Sequence, residues 1–292
     1  MGTRASLIDF AGTASRTRGL DVRWIHGSES AKHNTDPDIQ VHEYDEHTYV
    51  LRQNKAVDYE APFLFLLFGN ERAVLIDTGA TGSAEFFPLR RTVDGLVAAW
   101  LDRNPRDGYG LLVLHTHGHG DHVAGDGQFA DRPDTTLVPA DRATAWAYFG
   151  FDADADAVVR VDLGGRALEC LATPGHHEAA VTFFDPWTGF LLTGDTVYPG
   201  RLYIQDWRAF TRSIGRLVDF CDGRTVTHVL GCHIEMSREP GRDYPIRYTY
   251  QPDEVPLQLT TDHLREIRAA LAEMGDVPQR RVFPLFILSP GS

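Results

Sequence analysis

Four histidines and an aspartate fall within His115–His122, which reads H-T-H-G-H-G-D-H and follows directly on the apolar run Leu111–Leu114. Histidine is the commonest metal ligand, and alternate residues of an extended strand share one face. That places His117 and His119 to grip one ion together. Asp121 and His122 lie past the turn at Gly118 and Gly120, placed to face a second ion. The chemistry would be that of a catalytic metal such as zinc, which accepts imidazole nitrogen and carboxylate oxygen and leaves a position open for water. A solvated histidine-rich loop is the bland alternative. An H-x-H-x-D-H order entered from an apolar strand is far more specific than a lone histidine pair.

Other apolar runs end in the same way. Ala73–Ile76 precedes Asp77-Thr78-Gly79, and Ala167–Ala172 runs into Thr173-Pro174-Gly175-His176-His177. Phe190–Thr193 leads to Gly194-Asp195-Thr196, and Thr225–Leu230 to Gly231-Cys232-His233. Any one alone is weak, and Asp77 by itself reads as an Asx-turn or a helix cap. Together they suggest one sheet edge that gathers metal-capable side chains into a single pocket. The remaining pattern predicts strands at Tyr44–Leu51 and Phe63–Phe68, and a hairpin of Val181–Phe184 with Phe190–Thr193. Helical spacing covers Glu85–Asp102, Arg142–Phe149, Trp207–Phe220 and Thr260–Met274, and Val282–Leu288 reads as a closing strand. Residues 1–40 read as a loosely structured arm with a short strand at Val22–Ile25, and 41–292 as one domain. Residues 234–256 carry Arg238, Arg242, Tyr244, Arg247 and Tyr248 without periodicity. An unpatterned stretch of that length is usually a functional loop.

Composition narrows the partners. The chain has 292 residues, 41 acidic against 28 basic, for a net charge of -13. That balance argues against nucleic acid and anionic membrane surfaces and leaves a small-molecule substrate, with a homo-oligomer open. Three cysteines without a CxxC pair favour a reducing compartment. Met1–Leu20 lacks the apolar core of a signal peptide, and no run approaches the roughly 20 apolar residues of a membrane span. A cytoplasmic protein is the expectation.

On these residues the chain resembles the metallo-β-lactamase superfamily. The H-x-H-x-D-H motif is His117-Gly118-His119-Gly120-Asp121-His122, and the motifs around Asp77, His176, Asp195 and His233 follow in the family's order. The resemblance implies an αββα sandwich of two mixed β-sheets flanked by helices, with two zinc ions at one edge (iron or manganese also being compatible). It implies a first ion on His117, His119 and His176, and a second on Asp121, His122 and His233. Asp195 would bridge them, and Asp77 would fix the ligand loop from behind. A metal-bridged hydroxide would then attack an ester-like bond, a lactone or thioester in lactonase-like or glyoxalase-II-like chemistry, with Asp121 and Asp77 as the catalytic residues. β-Lactamase-type amide hydrolysis and a mononuclear iron sulfur dioxygenase are the competing chemistries, and a non-enzymatic metal-binding scaffold is a third reading. The complete ligand set favours two metals and hydrolysis. Arg238, Arg242 and Arg247 would suit a carboxylate-bearing thiol, or else belong to a solvated loop. Tyr198, Tyr203, Tyr244 and Tyr248 are candidate pocket walls or oxyanion donors. His115 is read as a supporting residue rather than a ligand, and His177 as pointing away from the metals.

Overall fold

The structure is a computed structural model that describes residues 6–12 and 19–291; the parts of the expected arm at 1–5 and 13–18 lie outside the described residues. Strand β3, Phe63–Phe68, shows how the layers form. It is apolar at every position and wholly buried. Successive side chains on a strand point to opposite faces, and here both faces are covered. Phe63, Phe65 and Leu67 join the cluster that also takes Leu168, Cys170, Phe183, Phe190 and Leu192 from a second sheet. Leu64, Leu66 and Phe68 pack instead against Leu89, Val93, Val97 and Trp100. A strand buried on both faces reads as a continuous apolar run for this reason.

The first sheet is β1 (Ile39–Asp45), β2 (Thr48–Gln53), β3, β4 (Arg72–Ile76), β5 (Gly110–Leu114) and β6 (Thr135–Leu137), in that spatial order. Its first four strands are antiparallel, and β4–β5–β6 are parallel. Helix α1 (Leu89–Arg103) covers its outer face. The short α2 (Gly120–Val123) and α3 (Arg142–Phe149) follow β5 and β6. The second sheet contains β7 (Val158–Asp162), β8 (Ala167–Ala172), β9 (Val181–Asp185) and β10 (Phe190–Gly194). A small third sheet begins with β11 (Arg201–Ile204), and α4 (Trp207–Cys221) follows it. β12 (His228–Gly231) and β13 (Gln258–Leu259) complete the second sheet in the order β13-β12-β10-β9-β8-β7. Helix α5 (Thr261–Met274) packs with α4 over its outer face, and β14 (Arg281–Val282) and β15 (Ile287–Pro290) close the third sheet. The result is the αββα sandwich, two mixed sheets facing each other with helices outside.

Several boundaries differ from the sequence reading, each for a local reason. Tyr44–Leu51 is a hairpin rather than one strand, because Asp45 accepts the His47 N–H in a tight turn (2.7 Å). Val282–Leu288 is likewise two strands, broken at Pro284, where the Phe283 N–H donates to the Phe286 carbonyl. α1 starts at Leu89 rather than Glu85, since Pro88 disfavours helical backbone at the residue before it. Val22–Ile25 forms no strand, although Trp24 is buried against Phe63 in the inter-sheet core. Strands β7 and β11 had no clear sequence signal: β7 alternates half-buried with exposed, and β11 is four residues long.

Candidate metal centre

β4 and β5 are parallel, as are β10 and β12, and β8 runs in the same sense as β10 because both are antiparallel to β9. Their C-terminal ends therefore emerge together. Asp77 ties the first two. Its Oδ1 accepts the Thr116 N–H (2.7 Å) and its Oδ2 the Thr116 hydroxyl (2.8 Å). These bonds hold Asp77 at φ +66°, a left-handed conformation uncommon outside glycine. The Asp195 loop reaches the same Thr116: a Cβ on Gly194 would fall 2.5 Å from the Thr116 Cβ, so only glycine permits the approach.

Two groups of side chains result. In the first, His119 Nδ1 lies 2.9 Å from His117 Nε2 and 3.0 Å from His176 Nε2. Three ring nitrogens so close repel one another unless a proton or cation sits among them. In the second, Asp121 Oδ2 is 3.3 Å from His122 Nε2 and 3.2 Å from His233 Nε2. Asp195 stands between. Its Oδ1 is 3.6 Å from His122 Nε2 and 3.4 Å from His233 Nε2, while its Oδ2 is 4.0 Å from His117 Nε2 and 3.7 Å from His176 Nε2. One carboxylate thus addresses both groups, one oxygen to each. The ligand-capable atoms within each group lie within 4.8 Å of one another.

The far side of each ring is fixed. His176 Nδ1 donates to the Tyr203 carbonyl (2.8 Å) and His233 Nδ1 to the Glu60 carbonyl (3.0 Å). A carbonyl only accepts, so Nδ1 carries the proton and Nε2 presents its lone pair inward in the neutral ring. His122 Nδ1 does the same against Asp77 Oδ2 (2.9 Å). The inward atoms His122 Nε2, His233 Nε2 and Asp195 Oδ1 are buried and make no hydrogen bond despite their proximity. Buried polar atoms without partners are costly. A cation at their point of convergence satisfies all three, so the residues present fit a metal ion in the second group as well as the first.

The electrostatics divide between the two groups: without a cation the first favours neutral rings, while the carboxylates of the second favour a positive charge among them. Burial, then the charge of His122, pushes His117 well below its ordinary value, and burial also lowers His119 and His176; all three favour the neutral, ligating form. Burial would also lower His233, but Asp195 and Asp121 outweigh it and raise the ring to about 9. His122 is driven up by Asp195 and Asp77 against the same burial penalty. Asp195 and Asp121 are held well below the usual carboxylate range because the facing histidines outweigh burial.

Asp77 is fully buried behind His122 and reaches no open face, so its expected catalytic role becomes one of positioning. Asp77→Asn would set an amide N–H or a weakened acceptor against the His122 N–H. Outer partners of ligating histidines are worth roughly 10–100-fold in metal affinity. We expect that loss at the His122 ion, with the Asp121 group affected before the His117 group, measured by competition with a chromogenic chelator.

The other expected contacts divide. Tyr203, Arg247 and Tyr248 line a cavity beside His233. Tyr198 does not: it is buried, and its hydroxyl donates to the Arg201 carbonyl and Glu235. Tyr244 accepts the Asp253 N–H and stacks on Tyr248, outside the cavity. Arg238 is exposed, and Arg242 pairs with Glu239 at the surface (2.5 Å). Neither arginine lines the cavity, because their stretch is turned outward by its own short-range pairs. His115 has both ring nitrogens engaged, by the Val138 carbonyl (3.1 Å) and Asp126 (2.8 Å), so none is left for an ion. His177 does not point away: its ring packs edge-on against His119 at 4.9 Å, with Nδ1 accepting the Ala179 N–H. The sequence reading missed Thr116, the Glu60 and Tyr203 carbonyls, and Lys55, which lines the same cavity.

Comparison with known proteins points one way. The family model described as "Metallo-beta-lactamase superfamily" matches residues 60–284. A hydroxyacylglutathione hydrolase of Rhizobium meliloti is 29% identical over 171 residues, covering 56% of this chain and 63% of that protein. A second, from a Synechococcus species, is 32% identical over 90 residues, 31% of this chain and 36% of its own length. The matches thus span less than two thirds of either protein. An acyl-coenzyme A thioesterase of Bos taurus is 28% identical over 210 residues, 58% of this chain and 72% of the relative. Among solved structures, a metallo-beta-lactamase from Pontibacter korlensis superposes with a TM-score of 0.52 at 16% identity, over 80% of this chain and 99% of that one. At that identity the likeness is one of fold.

Proposed function

Because this chain belongs to the metallo-β-lactamase superfamily, we propose that it is a binuclear metal-dependent hydrolase of carboxylic ester-like bonds, with thioesters or lactones as substrates. The observation that carries the reading is Asp195, whose two oxygens face two separate ligand groups, one of three converging ring nitrogens and one with partnerless inward atoms. His117, His119 and His176 would hold one ion, Asp121, His122 and His233 the other, and Asp195 both; the nitrogen and carboxylate donors suit zinc. Bound ions would supply Lewis acidity, lowering the pKa of a shared water towards ~7 and polarising the substrate carbonyl.

The chain's own residues do the rest. The Tyr203 and Glu60 carbonyls fix the rings of His176 and His233. Asp121 is the more open of the two carboxylates, its side chain 20% exposed against 9% for Asp195, and is placed to take up the proton released as water adds to the carbonyl carbon. No protein nucleophile is needed. Cys232, the thiol nearest the site, is fully buried, donates to Asp77 (3.3 Å), and is pushed far up in pKa by burial. The three cysteines are buried free thiols, which suits a reducing compartment such as the cytoplasm. Among the described residues, no helix is long and apolar enough to cross a membrane.

The test is a panel of thioesters, lactones and β-lactams offered to zinc-loaded protein, with metal content measured in parallel. Two ions per chain and turnover of thioesters or lactones are expected, with Asp121→Ala inactive. One iron per chain with oxygen consumption and no hydrolysis would overturn the reading.

A further inference from the structure

The chain contains only two lysines, Lys32 and Lys55, against 26 arginines. Lys55 is one of the few residues where an ammonium rather than a guanidinium is used, and it is 3% exposed. Its Nζ donates to the Tyr59 carbonyl (3.1 Å). An ammonium has three donors, and among the described residues no carboxylate forms an ion pair with this one. The nearby acids have other direct partners, Asp58 accepting the Glu60 N–H (3.0 Å). Glu254 takes both Nη atoms of Arg52 (2.5 and 2.6 Å), Glu235 pairs with Arg201 (2.6 Å), and Glu60 is bonded by the Tyr59 hydroxyl.

Lys55 faces a cavity of about 70 Å³ whose wall also includes the second-group ligand His233, with Arg247, Tyr248, the Arg201–Glu235 ion pair and Glu60. That is room for one small polar group. Arg247 adds a further cation at its exposed rim and is held at φ +65°, in the left-handed region. Glu254, Glu235 and Glu60 favour the charged form of Lys55 only from a distance; a buried charge without a contacting counter-ion is costly, and an anion bound there would relieve the cost.

Resting on the hydrolase reading for the identity of the site, we propose that Lys55 is a specificity-determining residue that holds a carboxylate on the substrate, presented from beside His233 while the ester-like carbonyl lies over the ligand groups. The substrate class is therefore an acidic acyl derivative, a thioester or lactone bearing a free carboxylate. A compact ammonium on a flexible stem fits a confined single-point contact, where a planar guanidinium would demand a two-point one. Burial, followed by the charge of Arg52, brings the ammonium down to about 8. A bound carboxylate would favour the charged form and raise it again.

The test is binding, which separates it from any failure of the hydrolase reading. Metal-loaded protein is titrated calorimetrically with succinate, glutarate and adipate, and with glutaramide as the neutral control. At least one dicarboxylate is expected to bind, with glutaramide at least tenfold weaker. Lys55→Met should weaken that dicarboxylate at least tenfold, with Lys55→Arg recovering part of it and the metal content unchanged throughout. Wild-type protein labelled at lysine Cε gives two side-chain signals, so the Lys55 signal should move, and its titration rise above about 8, when the dicarboxylate is added. The proposal is overturned if no dicarboxylate binds the wild type, if Lys55→Met binds it equally well, or if the Lys55 signal does not respond.

Discussion

Replacing Asp195 by asparagine is expected to cut kcat/KM by roughly 10²–10³ and to leave fewer than two ions per chain. The substitution keeps shape and removes one negative charge from between His117 and His176 on one side and His122 and His233 on the other. Removing one partner of a buried charged group costs about 3–5 kcal/mol, because the remaining charges lose their compensation. Asp195 is also the foremost cause raising His233 to about 9 against burial, so that ring should return towards neutrality in the variant. Asp121→Asn is the informative comparison. Its carboxylate lies 3.3 and 3.2 Å from His122 and His233, so it should lose the second ion and keep the first. Metal analysis by atomic emission and steady-state kinetics on one ester-like substrate decide the matter. An Asp195→Asn protein with two ions and activity within tenfold would remove the bridging assignment.

The difference between these two aspartates was visible in the sequence only as position. Asp121 belongs to the histidine cluster and Asp195 ends another apolar strand, and both were legible because strands feeding turns leave a plain pattern. The layers were legible for the same reason: Phe63–Phe68 reads as a strand covered on both sides, and it is. Side-chain direction within the 234–256 loop was not. Arg242 and Arg247 look equivalent in the chain, yet one pairs with Glu239 at the surface and the other lines the cavity beside His233. Loop backbones carry no fixed period, so nothing in residue order says which way each side chain turns. Lys55 was hidden differently. It sits in a polar stretch, Arg52-Gln53-Asn54-Lys55, that composition marks as surface, and every one of those four is buried. Polar residues become interior when distant chain segments supply their partners, and those partners, Glu254 for Arg52 among them, are remote in sequence.

Arg166 is the strongest instance, and Arg166→Leu is expected to lower the melting temperature by roughly 5–15 °C. The guanidinium is 1% exposed and fully committed. Nε and Nη2 bind Asp185 (3.1 and 2.5 Å), Nη1 donates to the His47 and Phe68 carbonyls (2.7 and 3.1 Å), and Nη2 also reaches the Thr48 hydroxyl (2.9 Å). One side chain thus joins the β1–β2 turn and the end of β3 in the first sheet to β9 in the second. Leucine would strand a buried carboxylate and two carbonyls, a loss of about 3–5 kcal/mol, and about 2–4 °C per kcal/mol applies to chains somewhat smaller than this one. The pH dependence gives the sharper check. In the native protein Arg166, together with the Thr188 bonds, outweighs burial and holds Asp185 below its ordinary value. A depressed folded-state pKa gives stability that is present above about pH 4 and is lost as pH falls through the folded value. Without Arg166, burial dominates and raises Asp185, so acid relieves the variant, while the native chain keeps this group's contribution down to about pH 4. The gap in melting temperature should therefore narrow between pH 7 and pH 4. A gap that stays constant over that range would mean that Asp185 is not the group left uncompensated, and that the loss comes from the carbonyls and packing alone.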